Sequence, residues 1–155
     1  MRRSWGGPLL ALLLLWPGCR CSRSSPEEQV RKTIDSVIAA VRERDIKPVA
    51  NAVSEQYSDR ERNDKQHVLS LVRMQFVVHP NLHLVAKISS IECPEPVQAR
   101  VLMFAALASV PPGVLPDLRK LSADVFRFDL TMADEDGTWR VQRASWAPAT
   151  VQDLL

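Results

Sequence analysis

Residues 124–146 read DVFRFDLTMADEDGTWRVQRASW, and the period of this stretch decides the fold. Phe126, Phe128, Leu130 and Met132 alternate with Arg127, Asp129 and Thr131, the period-two pattern of a strand with one buried face. Asp134-Glu135-Asp136-Gly137 then has the composition of a tight hairpin. The returning strand carries Trp139 and Val141, after which its apolar positions change phase to Ala144 and Trp146. A β-bulge near Gln142 or Arg143 would keep all four on one face, because one extra residue resets the alternation.

Working outward, two more strands precede this hairpin, so the strand set spans residues 82–92, 97–109, 124–133 and 138–146. Glu92-Cys93-Pro94-Glu95-Pro96 is expected to turn the first pair. Residues 110–122 hold Pro111-Pro112-Gly113 and Pro116, which predict an irregular loop with one helical turn at 116–121. No internal repeat is present.

Before residue 80 the period is helical. Ser25-Pro26-Glu27-Glu28 combines an N-cap, a first-turn proline and the glutamate of a capping box. Val30, Ile34, Val37, Ile38 and Val41 follow at helical spacing, with Arg31, Lys32, Asp35, Arg42 and Glu43 on the opposite face. A second helix is expected from Asp45, with Val49, Ala50, Val53 and Tyr57 as its apolar face. A third runs from Asp64 as N-cap to Val78, burying Val68, Leu71, Val72, Gln75 and Phe76. Pro80 ends it, since its ring excludes helical continuation. Helices followed by a run of antiparallel strands predict an α+β fold.

This order resembles the ketosteroid-isomerase-like, or nuclear-transport-factor-two-like, superfamily. The matching segments are the helix over 27–44, Val53-Ser54-Glu55-Gln56-Tyr57-Ser58-Asp59, the helix through Phe76, and Gly137-Thr138-Trp139-Arg140-Val141. The resemblance covers residues 27–147. It implies a curved antiparallel sheet wrapped around the N-terminal helices as a cone, whose open end can hold a small hydrophobic ligand. It also implies kinship with isomerases, dehydratases and hydrolases. Two features depart from the pattern: no clear short strand between the second and third helices, and a loop at 110–122 longer than a hairpin needs.

On that resemblance Tyr57, Arg73, Phe76, Met103, Phe126, Phe128 and Trp139 are candidates for a ligand pocket, with Gln75 and His79 as further polar groups that could face it. Most of the aromatic and methionine set, Met74, Phe76, Met103, Phe104, Phe126, Phe128, Trp139 and Trp146, is expected to be core between the sheet and the first helix, with a lined pocket as the sharper reading. Tyr57, Asp59 and His67 are the candidates for acid–base chemistry, which would need an inward position and a pKa moved by burial or charge. Each has a plainer explanation. Tyr57, the single tyrosine, fits a buried ring with its hydroxyl at the rim, and Asp59 precedes Arg60-Glu61-Arg62, a solvated loop composition. His67 begins a helix, and His79 and His83 straddle Pro80, so no metal-ligand spacing results. No phosphate loop or nucleophile elbow is present, and no cofactor is implied.

The first residues carry a different message. Arg2 and Arg3 precede the apolar run Leu9 to Trp16, then Pro17-Gly18 and Cys19, the form of a secretory signal peptide. The run is shorter than the roughly 20 residues needed to span a bilayer. With cysteine after glycine it resembles a bacterial lipoprotein signal, although Trp16-Pro17 departs from the usual small residues. Ordinary secretion with cleavage nearby and an uncleaved anchor are the alternatives. The expected organisation is a signal peptide at 1–18, a polar tether at 19–25 with a lipidated Cys19, an α+β domain at 26–148 and a tail at 149–155. Cys21 and Cys93 are then left, and pairing between them stays open.

The precursor has 20 Lys and Arg against 18 Asp and Glu; without Arg2 and Arg3 the two are equal. A neutral chain without a basic stripe excludes an electrostatic footprint for nucleic acid. The expected function is a lipid-anchored cell-envelope protein facing the periplasm or exterior, in the outer membrane if the cell has two membranes. It would be non-enzymatic and bind a protein partner or small apolar ligand at the cone mouth and the 111–121 loop. A small cofactor-free lyase or isomerase is the alternative. The oligomeric state is left open.

Overall fold

The computed structural model describes residues 24–79, 82–109 and 124–154. Helices α1 (Pro26–Glu43), α2 (Ile46–Ala52) and α3 (Lys65–Val78) precede strands β1 (Leu82–Glu95), β2 (Gln98–Ser109), β3 (Asp124–Glu135) and β4 (Thr138–Pro148), and a short α4 (Val151–Leu154) follows. The strands form one antiparallel sheet in the order β1-β2-β3-β4. This is the expected α+β fold, with helices packed on a curved sheet.

Local chemistry sets the helix ends. Ser25 accepts from the Glu28 amide while the Glu28 carboxylate accepts from the Ser25 amide, so the capping box is complete. Asp45 caps α2 and Asp64 caps α3 through their side chains. Helix α2 is shorter than its apolar spacing suggested. It stops at Ala52, and Val53 turns extended to form a parallel bridge with Val141. Val53 and Tyr57 therefore leave the helical face, because pairing with the edge of β4 competes successfully with one more helical turn. The same bridge supplies, in rudimentary form, the short strand that the sequence did not reveal.

The sheet departs from expectation at the first turn. Strand β1 continues through Cys93-Pro94-Glu95 with an irregular register after Glu92, and Pro96-Val97 makes the turn. Cys93 is exposed there and makes no disulfide among the described residues; Cys19 and Cys21 lie outside them. The second hairpin is as expected: Asp136 (φ 55°) and Gly137 (φ 81°) occupy its two central positions, where positive φ matches the strand twist. The register passes from Thr131↔Arg143 to Met132↔Val141, so Gln142 is the bulged residue. The loop expected at 110–122 lies outside the described residues.

The main core lies between α1 and the inner sheet face. Val30 and Ile34 meet Ala99, Val101, Met103, Met132 and Trp139, with Ile38, Phe128, Leu130 and Val141 around them. Ala40, Val49 and Leu69 join α1, α2 and α3 in a second cluster. Residues 149–155 were expected as a tail, yet Leu154 of α4 is buried against Ala106 and Val125 on the outer sheet face, and the Ala149 amide donates to the Val125 carbonyl at 2.8 Å. By strand alternation Ala106 and Val125 face away from Val101 and Met132. Among the described residues the sheet is thus covered by α1 on one side and, at one end, by α4 on the other.

Candidate functional site

The end of the outer face not covered by α4 forms a groove of about 600 Å³. Its floor is a cross-strand row. Glu92 of β1 pairs with Arg100 of β2, Arg100 with Thr131 of β3, and Thr131 with Arg143 of β4. A second row sets Ser90, Leu102, Asp129 and Ser145 side by side. All eight residues line the groove. Its remaining wall is Ser58-Asp59-Arg60, from the segment joining α2 to α3.

The bulge explains why the groove is polar. Without Gln142 as an extra residue, Arg143 would share the inward phase of Val141; with it, Arg143 stands beside Thr131 on the outer face, and Ala144 takes the inward phase opposite Leu130. The bulge also holds the wall, since the Gln142 carbonyl accepts from the Ser58 amide at 3.1 Å and the Val141 carbonyl from the Ser54 amide at 3.0 Å.

A buried latch fixes the base of that segment. The hydroxyl of fully buried Ser54 donates to Glu135 Oε1 at 2.6 Å, Gln142 Nε2 donates to the same oxygen at 3.2 Å, and Arg140 Nη1 donates to Oε2 at 3.1 Å. The Ser54 hydrogen bond is the largest influence holding the Glu135 carboxyl below its usual range; burial opposes it, and Gln142 and Arg140 reinforce it. A depressed carboxyl contributes stability above its unfolded pKa of about 4.3, and that contribution is lost as pH falls through the lower folded value. Glu135→Ala also strands the Ser54 hydroxyl, so a loss of about 2 kcal/mol is expected at pH 7. Urea unfolding followed from pH 7 to pH 3 should show the difference from the parent shrinking toward the acid end. A constant difference across that range would mean the carboxylate charge is irrelevant to the latch.

Asp59 serves its own loop. Its carboxylate accepts from the Glu61 and Asn63 amides and from Asn63 Nδ2, each at 2.9 Å. Burial alone would raise its pKa, but those hydrogen bonds and the charge of His67 leave it lowered. Tyr57 is buried, and its hydroxyl has no hydrogen-bond partner among the described residues. Burial first, and then the Asp59 charge, push its phenol up to about 12. His67 is exposed and lines a separate hollow with Arg62, Asn63, Asp64, Gln66 and Ser70. The three acid–base candidates are therefore within electrostatic reach of one another in series, Tyr57 to Asp59 to His67, but share no cavity among the described residues.

The pocket candidates are placed differently again. Met103 and Trp139 are buried in the main core with Phe128 packed against them, and Phe126 leans on Phe128 with ring centroids 6.4 Å apart. Phe76 is half-buried on α3, and Arg73 is exposed there. Trp139 Nε1 donates to Gln29 Oε1 at 3.3 Å, fixing the ring to α1. Among the described residues Met103, Trp139 and the adjoining Phe128 pack on the inner face as part of the core. No group of three or more His, Cys, Asp or Glu side chains that could hold a metal ion occurs among the described residues. Arg100, Arg143 and Ser145 were missed from sequence as site residues. Their signal was the outward phase of Arg127, Asp129 and Thr131 in β3, which marked the same face.

The fold is that of solved structures described as cystatin-like and NTF-2 like, and so agrees with the resemblance in the sequence. One is a cystatin-like domain of unknown function from Nostoc punctiforme, with 13% identity, TM-score 0.64, and coverage of 85% of this chain and 83% of that one. A protein provisionally named a scytalone dehydratase, from Novosphingobium aromaticivorans, matches with 9% identity and TM-score 0.66 over 80% of this chain and 84% of its own. An NTF-2 like protein of unknown function from Shewanella oneidensis matches with 14% identity and TM-score 0.60 over 78% and 98%. No family model and no curated protein matches the sequence.

Proposed function

We propose that this chain is a lipid-tethered binding domain of the bacterial cell envelope, working through the outer-face groove and not as a catalyst. The observation that carries the reading is where open volume lies among the described residues. The inner face, where the resemblance implies a ligand, is packed by Val30, Met103, Met132 and Trp139, while the groove on the other face stays open. A site of about 600 Å³ falls within the range of small-ligand sites, and its walls supply donors and acceptors on rigid strands. Of the three acid–base candidates only Asp59 lines it, so Tyr57, Asp59 and His67 do not form an acid–base pair at the groove.

The tether follows from Gly18-Cys19 and the apolar run before it. No helix among the described residues is long and apolar enough to cross a membrane. The binding half of the proposal is tested by amide NMR during a screen of mixed small metabolites. Ligands should shift Thr131, Arg143 and Ser145 while leaving Val30 and Ile34 unmoved. A screen in which hits cluster on α1 and the inner face would place the ligand in the cone and overturn the groove.

A further inference from the structure

Resting on that reading of the groove, we infer that its ligand is a phosphomonoester on a hydroxylated, sugar-like body, with the phosphate held by Arg100 and Arg143 astride Thr131. Across two strand spacings the backbones of these arginines stand about 10 Å apart, and the Thr131 hydroxyl lies between them in one register row. Arg60 faces the same space from the loop wall.

Charge accounting singles these groups out. Counting Arg127, which borders the row, four guanidiniums stand against the carboxylates of Asp59, Glu92 and Asp129. Two of those carboxylates are already engaged, Asp59 by Asn63 and Glu61, and Asp129 by Arg127 at 2.9 Å. Arg60, Arg100 and Arg143 make no ion pair or side-chain hydrogen bond among the described residues. Glu92 is across from Arg100 in register, yet no ion pair joins them. Asp59 and Glu92 keep their charge, so the four arginines exceed the three carboxylates by one; with the donors of Arg60, Arg100 and Arg143 unused around one cavity, an anion is favoured in it.

The shape of the donor set selects the anion. Two guanidinium forks and a hydroxyl offer about five donors, more than the roughly four lone-pair sites on the two oxygens of a carboxylate, so an acceptor with three terminal oxygens uses the set more fully. A phosphomonoester provides three. The second row then faces the rest of the molecule with the Ser90 and Ser145 hydroxyls and the Asp129 carboxylate, groups that exchange hydrogen bonds with sugar hydroxyls.

The test is calorimetric titration of the purified full-length chain with glucose 6-phosphate, inorganic phosphate, glucose and succinate, with amide shifts locating each site. Glucose 6-phosphate should bind in the groove more tightly than inorganic phosphate, and glucose should bind little. Arg100→Gln and Arg143→Gln should each weaken it about ten-fold or more, whereas Arg31→Gln on exposed α1 should not. Equal affinity for inorganic phosphate would overturn the sugar-like body. Succinate binding in the groove without glucose 6-phosphate binding would overturn the phosphomonoester and leave the groove reading standing. Shifts on the inner face instead would overturn both.

Discussion

Trp139→Ala is expected to destabilise the chain by about 3–5 kcal/mol, the range for removing a large aromatic side chain from a packed core. Trp139 is only 3% exposed and packs in the cluster that joins α1 to β2 and β3. Its indole nitrogen also donates to Gln29, whose own amide donates to the Ser24 carbonyl at 2.8 Å. Truncation therefore removes apolar contacts, opens a cavity and leaves the Gln29 side chain without its partner on the sheet. Against a total stability of about 5–15 kcal/mol for a domain of this kind, such a loss is large enough to populate unfolded chain at ordinary temperature. Trp139→Phe separates the contributions, since it keeps an aromatic ring and gives up the hydrogen bond and part of the volume. Urea unfolding of both variants measures this, and a loss below about 1 kcal/mol for the alanine variant would mean the core closes around the gap.

Changing Cys19→Ser should move the protein from the membrane fraction to the soluble fraction, a nearly complete redistribution. One acyl chain gives an association constant of only about 10⁴ per molar, whereas two or more chains anchor a protein stably. A cysteine carrying at least two chains would thus dominate membrane attachment. The rest of the chain offers little to replace it, because acidic and basic residues balance once Arg2 and Arg3 are set aside. Fractionation after expression in a bacterium, with mass measurement of the membrane-bound form, reads the result. Membrane retention of the serine variant would defeat the lipid tether, and loss of the signal segment without added lipid mass would favour ordinary secretion.

These two experiments address separate parts of the molecule, and their legibility in sequence differs for a physical reason. The helix caps at Ser25 and Asp64, the start of the second helix at Asp45, the alternation of β3 and a bulge near Gln142 or Arg143 were all readable, because each is a local pattern of a few residues. The end of α2 was not readable. Val53 and Tyr57 continue a helical spacing, and only the edge of β4, more than 80 residues away in the chain, draws Val53 into extended pairing. Similarly, Pro94 and Pro96 suggested a broad turn, but pairing with β2 carries β1 on to Glu95.

By itself, then, the amino-acid sequence determined the order of helices and strands, which residues of β3 face inward, and the place where β4 must change phase. Apolar periodicity and capping chemistry are local, so they survive without knowledge of the partner elements. Tertiary structure alone decided that Met103 and Trp139 are packed in the main core and that Leu154 covers one end of the outer face. It alone brought Arg60, Arg100 and Arg143 to one groove. Those outcomes depend on strand register and on which face each helix covers, and register is fixed by pairings between residues distant in the chain. The bulge at Gln142 joins the two levels. Its existence is written in the phase shift after Val141, but its consequence, an arginine turned to the outer face beside Thr131, appears only once β3 lies alongside.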